Sequence, residues 1–172
     1  MKITHPFFGA LLGLALLLLA SPAHAADEPP PFGASDLVLE DEGLTDGWEV
    51  SYDELAGTVG EEKMTDWLAA TARTAGVEED AFYAEIRVLD GPDDAAATLA
   101  VVEMDEGAEA LGGALKTRGQ AAGYLVRPLG HASRVLVIEG GAAKAIEAMQ
   151  LDYAVRSLSK LGFERLVAGS QV

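Results

Sequence analysis

The sequence predicts an α+β domain: a two-layer sandwich with an antiparallel sheet of about five strands and helices packed mainly on one face. Two observations carry this expectation. Short stretches of period-two alternation recur, bounded by Gly, Pro and Asp turn signals. Alanine-rich stretches with helical spacing separate them in pairs, so an initial strand and helix are followed by a ββα-ββα order. Hairpins alternating with helices make the strands antiparallel, and an antiparallel strand needs only one apolar face.

The first segment is an address rather than a fold element. Lys2 supplies a positive charge, Phe7 to Ala20 is an apolar run, Ser21-Pro22 breaks it, and Ala23-His24-Ala25 offers the small residues a signal peptidase reads. That order predicts a cleavable signal peptide over residues 1–25. The apolar run rises about 21 Å as a helix, short of the roughly 30 Å hydrocarbon core. No twin-arginine pair precedes it, which favours the general export route. With no cysteine in the chain, neither lipidation at a cysteine nor a disulfide is available after export. The expected product is periplasmic or secreted and free of the membrane after cleavage.

Residues 26–47 read as an acidic, proline-containing linker or arm. Pro29-Pro30-Pro31 favours polyproline II, and Leu37-Val38-Leu39 is a short apolar patch that either adds an edge strand or stays irregular. Residues 48–172 read as a single α+β domain, large enough to build a core without staples. Trp48, Val50 and Tyr52 alternate with polar neighbours after the Asp46-Gly47 turn, which predicts a strand. Thr58 and Glu61 fit a capping box for a helix over 61–75, closed by Gly76. Phe82 to Val88 alternates as a strand, and Asp90 to Asp94 is a turn.

Residues 96–103 are ambiguous: Val101-Val102 and the preceding turn favour a return strand, whereas the alanines, with Asp93 as cap, favour a helix. Asp105 can cap a helix running to Arg118 and stopped by Gly119, with Gly112-Gly113 allowing it to lie close to the sheet. Strands are expected over 123–127 and 133–138. A helix over 142–161 then shows two offset stripes, Ile146/Met149/Tyr153 and Leu151/Val155/Leu158, so it is either broadly buried or broken near Gln150. Gly162-Phe163 suits a Schellman ending, with the last residues a short strand or tail.

Charge narrows the partners. The chain carries 28 carboxylates against 12 Lys and Arg, a net charge of −16 that becomes −17 once Lys2 is removed. Twelve of the carboxylates fall between Ala26 and Glu62, where no base occurs. Such a surface repels phosphate backbones and anionic lipid, which disfavours nucleic acid and favours a basic protein partner. A solvated, merely solubilising region is the plainer reading of the same charge.

Motifs for chemistry are weak. His131 is the only histidine expected in the mature chain, beside Ser133 but outside any Gly-x-Ser-x-Gly setting. Asp90, Asp93 and Asp94 lack EF-hand spacing and suit a tight turn. Val137 to Ala142 is a strand, glycine turn and helix start followed by Lys144, without a phosphate-loop pattern. Glu61-Glu62 and Glu78-Glu79-Asp80 are carboxylate clusters of a kind common in so acidic a chain. The sequence therefore assigns no catalytic, cofactor-binding or metal residue. It points to a non-enzymatic binding or interaction domain of the bacterial cell envelope, monomeric or weakly self-associating. A carboxylate-dependent hydrolase or a weak divalent-cation binder is the alternative.

Overall fold

The computed structural model describes residues 33–51, 54–129 and 131–169. The expected signal segment and residues 26–32 lie outside them. Eight main elements follow in order: β1 (Glu49–Val50), α1 (Glu54–Ala75), β2 (Phe82–Asp90), β3 (Ala96–Met104), α2 (Glu109–Ala122), β4 (Leu125–Leu129), β5 (His131–Glu139) and α3 (Ala143–Gly169). The five strands form one antiparallel sheet in the order β1-β2-β3-β5-β4. The α+β class, the five-stranded antiparallel sheet and the ββα-ββα order are thus as the alternation and turn signals indicated.

β2 and β3 pair along all nine residues, from Phe82 opposite Met104 to Asp90 opposite Ala96. The turn between them suits its Asp residues, because Asp93 and Asp94 both adopt left-handed backbone at φ near +58° and +59°. Residues 96–103 are strand, and burial explains why the pattern was ambiguous. Ala97 to Val102 are all buried, because β3 is central and covered on both faces. A strand buried on both faces reads as a continuous apolar run instead of an alternating one.

The helices α1 and α2 cover one face. Met64, Leu68 and Ala72 of α1 and Leu111 and Leu115 of α2 pack on Ala100, Val102, Met104, Val135 and Val137. α1 starts at Glu54, earlier than the capping-box reading, so Thr58 lies inside the helix. Gly60 shows what favours this extra turn. A Cβ there would come within 2.8 Å of a Val88 methyl, so glycine lets the helix press directly against β2. α2 likewise outruns its expected end. It passes Gly119 and closes at Gly123, whose φ of +79° forms a left-handed cap. The Gly112-Gly113 pair makes no unusually close approach: only ordinary contact with Met104 would meet a Cβ at Gly112, and none at Gly113.

The opposite face is covered by a thinner layer. Ala34, Leu37, Val38 and Leu39 are each at most 1% exposed. They pack with Ile146, Tyr153 and Ala154 of α3 on Leu89, Leu99, Val101, Leu136 and Ile138. The segment from Gly33 onward is therefore built into the fold, although its composition reads as an arm. α3 runs unbroken through both Gln150 and Gly162. Of its two stripes, Ile146, Met149 and Tyr153 face the core, while Leu151 and Val155 are exposed and Leu158 is partly buried.

Gln150 joins the two parts of this layer. Its side chain is fully buried, accepts a hydrogen bond from the Leu39 amide at 2.9 Å and donates to the Leu37 carbonyl at 2.5 Å. One carboxamide thus meets the donor and acceptor that a neighbouring strand would otherwise supply. Replacing Gln150 by Leu leaves both backbone groups without a partner, and each such group costs about 1–3 kcal/mol. Urea unfolding of Gln150→Leu is expected to show a loss of about 2–4 kcal/mol; a loss below about 1 kcal/mol contradicts the clasp.

Candidate interaction surface

Among the described residues, a cluster of polar groups converges at one corner of the sheet, on the face covered by the 34–39 segment. Register places them. Tyr83 lies opposite Glu103 on β3, and Glu103 lies opposite Arg134 on β5. Two residues along β2 comes Glu85, and two further Arg87, all on the same face by the period of the strand.

Arg134 is the most enclosed of these groups, with its side chain 4% exposed. Its guanidinium donates twice to Glu103 Oε1, at 3.1 and 3.3 Å. The other oxygen, Glu103 Oε2, accepts the Ala34 amide at 2.8 Å. One carboxylate therefore neutralises a buried cation and ties the start of the packed segment to the sheet. Arg87 is the second node. Its guanidinium reaches Glu85 at 3.2 Å, Glu40 of the segment, and the Ile86 carbonyl at 2.9 Å. Burial disfavours its charge, but the bonds to Glu40 and Glu85 outweigh this and hold its pKa above the ordinary arginine value. The Tyr83 hydroxyl donates to Glu85, and that bond pushes the phenol pKa up.

A smaller network closes the helix-covered face. Lys63 of α1 pairs with Glu139 at the end of β5. Tyr124 packs against Trp67 with ring centres 4.9 Å apart and ring planes tilted by 53°. Burial, then the Glu139 charge, raises the Tyr124 pKa, and the bond to Glu139 raises that of Lys63.

The residues singled out from the sequence fall on separate elements of the fold. His131 opens β5, and its side chain lies outside the described residues. Ser133 is partly buried on the same strand. Asp90 ends β2 opposite Glu49, and Asp93 and Asp94 form the hairpin turn. Among the described residues, no group of three or more His, Asp or Glu could hold a metal ion. Gly140 has a packing reason: its φ is +125°, and a Cβ would lie 2.7 Å from the Ala96 carbonyl. Glu61 and Glu62 line an open depression of about 490 Å³ with Thr58, Thr65 and Asp66. Glu78, Glu79 and Asp80 line another, of about 460 Å³, with Arg73, Gly76 and Val77. Both open onto solvent.

The Glu103–Arg134–Tyr83 corner and the Arg87 node were missed by sequence reasoning. Their only trace was a charged residue in each of two apolar strands, Glu103 and Arg134, at positions that face each other once the register is known.

Two outcomes follow. Glu103→Ala leaves Arg134 buried without its carboxylate and is expected to cost about 3–5 kcal/mol, and pairing it with Arg134→Met restores at least half of that loss. Equal losses in the single and double variants, in urea unfolding, contradict a paired buried charge. The second outcome concerns alkali. Tyr83, Tyr124 and Lys63 all have raised pKa values, so each keeps its proton longer folded than unfolded. Their stabilisation is complete below the ordinary values of about 10 and is lost as pH climbs through the folded ones. Absorbance at 295 nm is expected to show a tyrosine phase above pH 10 that moves down in denaturant; a native titration superimposing on the denatured one contradicts it.

No family model, no curated protein and no solved structure matches this chain.

Proposed function

We propose that the chain is an exported, non-enzymatic binding domain that captures a basic protein partner in the cell envelope. The observation that carries this reading is how the charges are spent. Lys63, Arg73, Arg87, Arg127, Arg134 and Arg156 are each engaged by a carboxylate of this same chain. The carboxylates outnumber all the bases by 28 to 12, so most have no base left in the chain to meet them. Glu42, Asp46, Glu49, Glu61, Glu62, Asp66, Glu78, Glu79 and Asp80 are exposed. A surface on which carboxylates outnumber bases, and on which the exposed Lys63, Arg73, Arg127 and Arg156 are each already paired with a carboxylate, attracts cationic partners and steers their approach.

The export part of the reading rests on Met1 to Ala25 and on the order of charge, apolar run and small residues there. No helix of the described residues is long and apolar enough to cross a membrane. N-terminal sequencing of the protein recovered from its native host is expected to begin at Ala26; a product that retains Met1 contradicts it.

Capture should depend on salt. Raising ionic strength from 50 to 500 mM shortens the screening length from roughly 14 to 4 Å. Retention of an immobilised polylysine by the mature protein is expected to be strong at the lower salt and lost at the higher. Retention unchanged between the two removes the electrostatic basis of the proposal.

A further inference from the structure

We infer that the outer edge of β2, from Phe82 to Ile86, is the docking site, and that it takes an extended partner segment with basic and apolar residues in alternation. The inference rests on the reading of the chain as a binder of basic partners and adds where and how the partner sits.

The two edges of the sheet are not alike. β4 is five residues long, contains Pro128 and loses register between Pro128 and Leu129. Short length, proline and irregularity are the devices that keep an edge strand from pairing with other chains. β2 has none of these three, although Glu85 and Arg87 put charge on it. It is nine residues long, its register with β3 is unbroken, and β1 covers only its last residues. Among the described residues no strand pairs with the outer side of 82–87. The direction of its outward groups is fixed by β1, and of these the Ile86 carbonyl already accepts a bond from the Arg87 guanidinium at 2.9 Å. The Ser51 amide donates to the Val88 carbonyl at 2.9 Å, so the peptide groups of Val88 face outward. By the period of two, those of Ile86, Ala84 and Phe82 face the same way.

The side chains flanking this edge select the occupant. An added strand continues both faces of the sheet. On one face its residues lie beside Phe82, Ala84 and Ile86, which are partly buried and apolar. On the other they lie beside Tyr83 and Glu85, with Glu40 close to Arg87. The approach to the strand carries exposed Glu78, Glu79 and Asp80. Apolar residues on one side and cations on the other match these two faces. Arg87 illustrates the chemistry from within: its guanidinium already bonds an edge carbonyl, Ile86, and the two carboxylates. A second copy of this chain fits less well, because it brings another net acidic surface towards the exposed Glu78, Glu79 and Asp80. Strand addition of this kind draws its affinity from main-chain bonds and its selectivity from alternate side chains.

The test uses the mature protein and a blocked hexapeptide alternating Lys and Val, with calorimetry at low salt. A second peptide of the same sequence carries N-methyl groups on alternate amides, which keeps its charge but removes strand pairing. Ala84→Pro is the matching protein variant. The Ala84 amide points away from β3, so proline there spares the sheet while blocking the edge. Binding of the plain peptide, weakened about tenfold or more by N-methylation and by Ala84→Pro, supports the inference, tenfold corresponding to about 1.4 kcal/mol. The N-methyl comparison on the unaltered protein stands even if the variant fails to fold. Equal affinity for both peptides overturns edge docking while leaving acidic capture intact. Failure of the plain peptide to bind, with polylysine still retained, does the same. Failure of both removes the edge and the underlying reading together. A concentration-dependent dimer that Ala84→Pro abolishes, without peptide binding, overturns the inference in favour of a second copy.

Discussion

The fold turns on how the second face of the sheet is covered. A five-stranded antiparallel sheet with two helices on one side would leave Leu89, Leu99, Val101, Leu136 and Ile138 in water. Burying a large aliphatic side chain is worth roughly 1.5–3 kcal/mol, so that face needs a cover. α3 supplies part of it, and the 34–39 segment supplies the rest. The segment is not a strand, so its backbone groups need other partners. Gln150 meets the Leu37 carbonyl and the Leu39 amide, and Glu103 meets the Ala34 amide. The cover depends on these side-chain bonds, because apolar contact alone would not satisfy buried peptide groups.

The same bonds link stability to the character of the neighbouring surface. Arg134 and Arg87 are drawn into the corner by Glu103, Glu85 and Glu40. The acidity of the exterior comes from the excess of carboxylates over bases in the chain, 28 against 12. The segment that closes the core also brings Glu40 to the side of β2, next to an edge that is long, regular and free of proline. Core closure and the character of the β2 edge are therefore set by one stretch of chain.

Much of the fold was legible because it rests on local periodicity. The alternation of β2 and the turn at Asp90 to Asp94 each gave their element directly. β3 was harder, because burial on both faces erased the alternation that marks a strand. The 34–39 segment was read as an arm for a different reason. Its carboxylates and the prolines before it suggest solvation, and only three-dimensional contact shows Leu37-Val38-Leu39 lying on the sheet. Gln150 is an ordinary helix residue in sequence; its role exists only through partners more than 100 positions away. The candidate surface was illegible on the same grounds. Glu103 and Arg134 become neighbours through strand register, and the openness of the β2 edge follows from strand order.

The central claim, that residues 34–39 belong to the folded core and are held there by Gln150, is tested most directly by native-state hydrogen exchange at the Leu39 amide. That amide is fully buried and bonded to Gln150 at 2.9 Å. The account predicts protection approaching that of the β3 and β5 amides at the sheet centre, released only by global or near-global unfolding. Exchange at the rate of an exposed, unbonded amide would show the segment to be a loosely held arm and would contradict it.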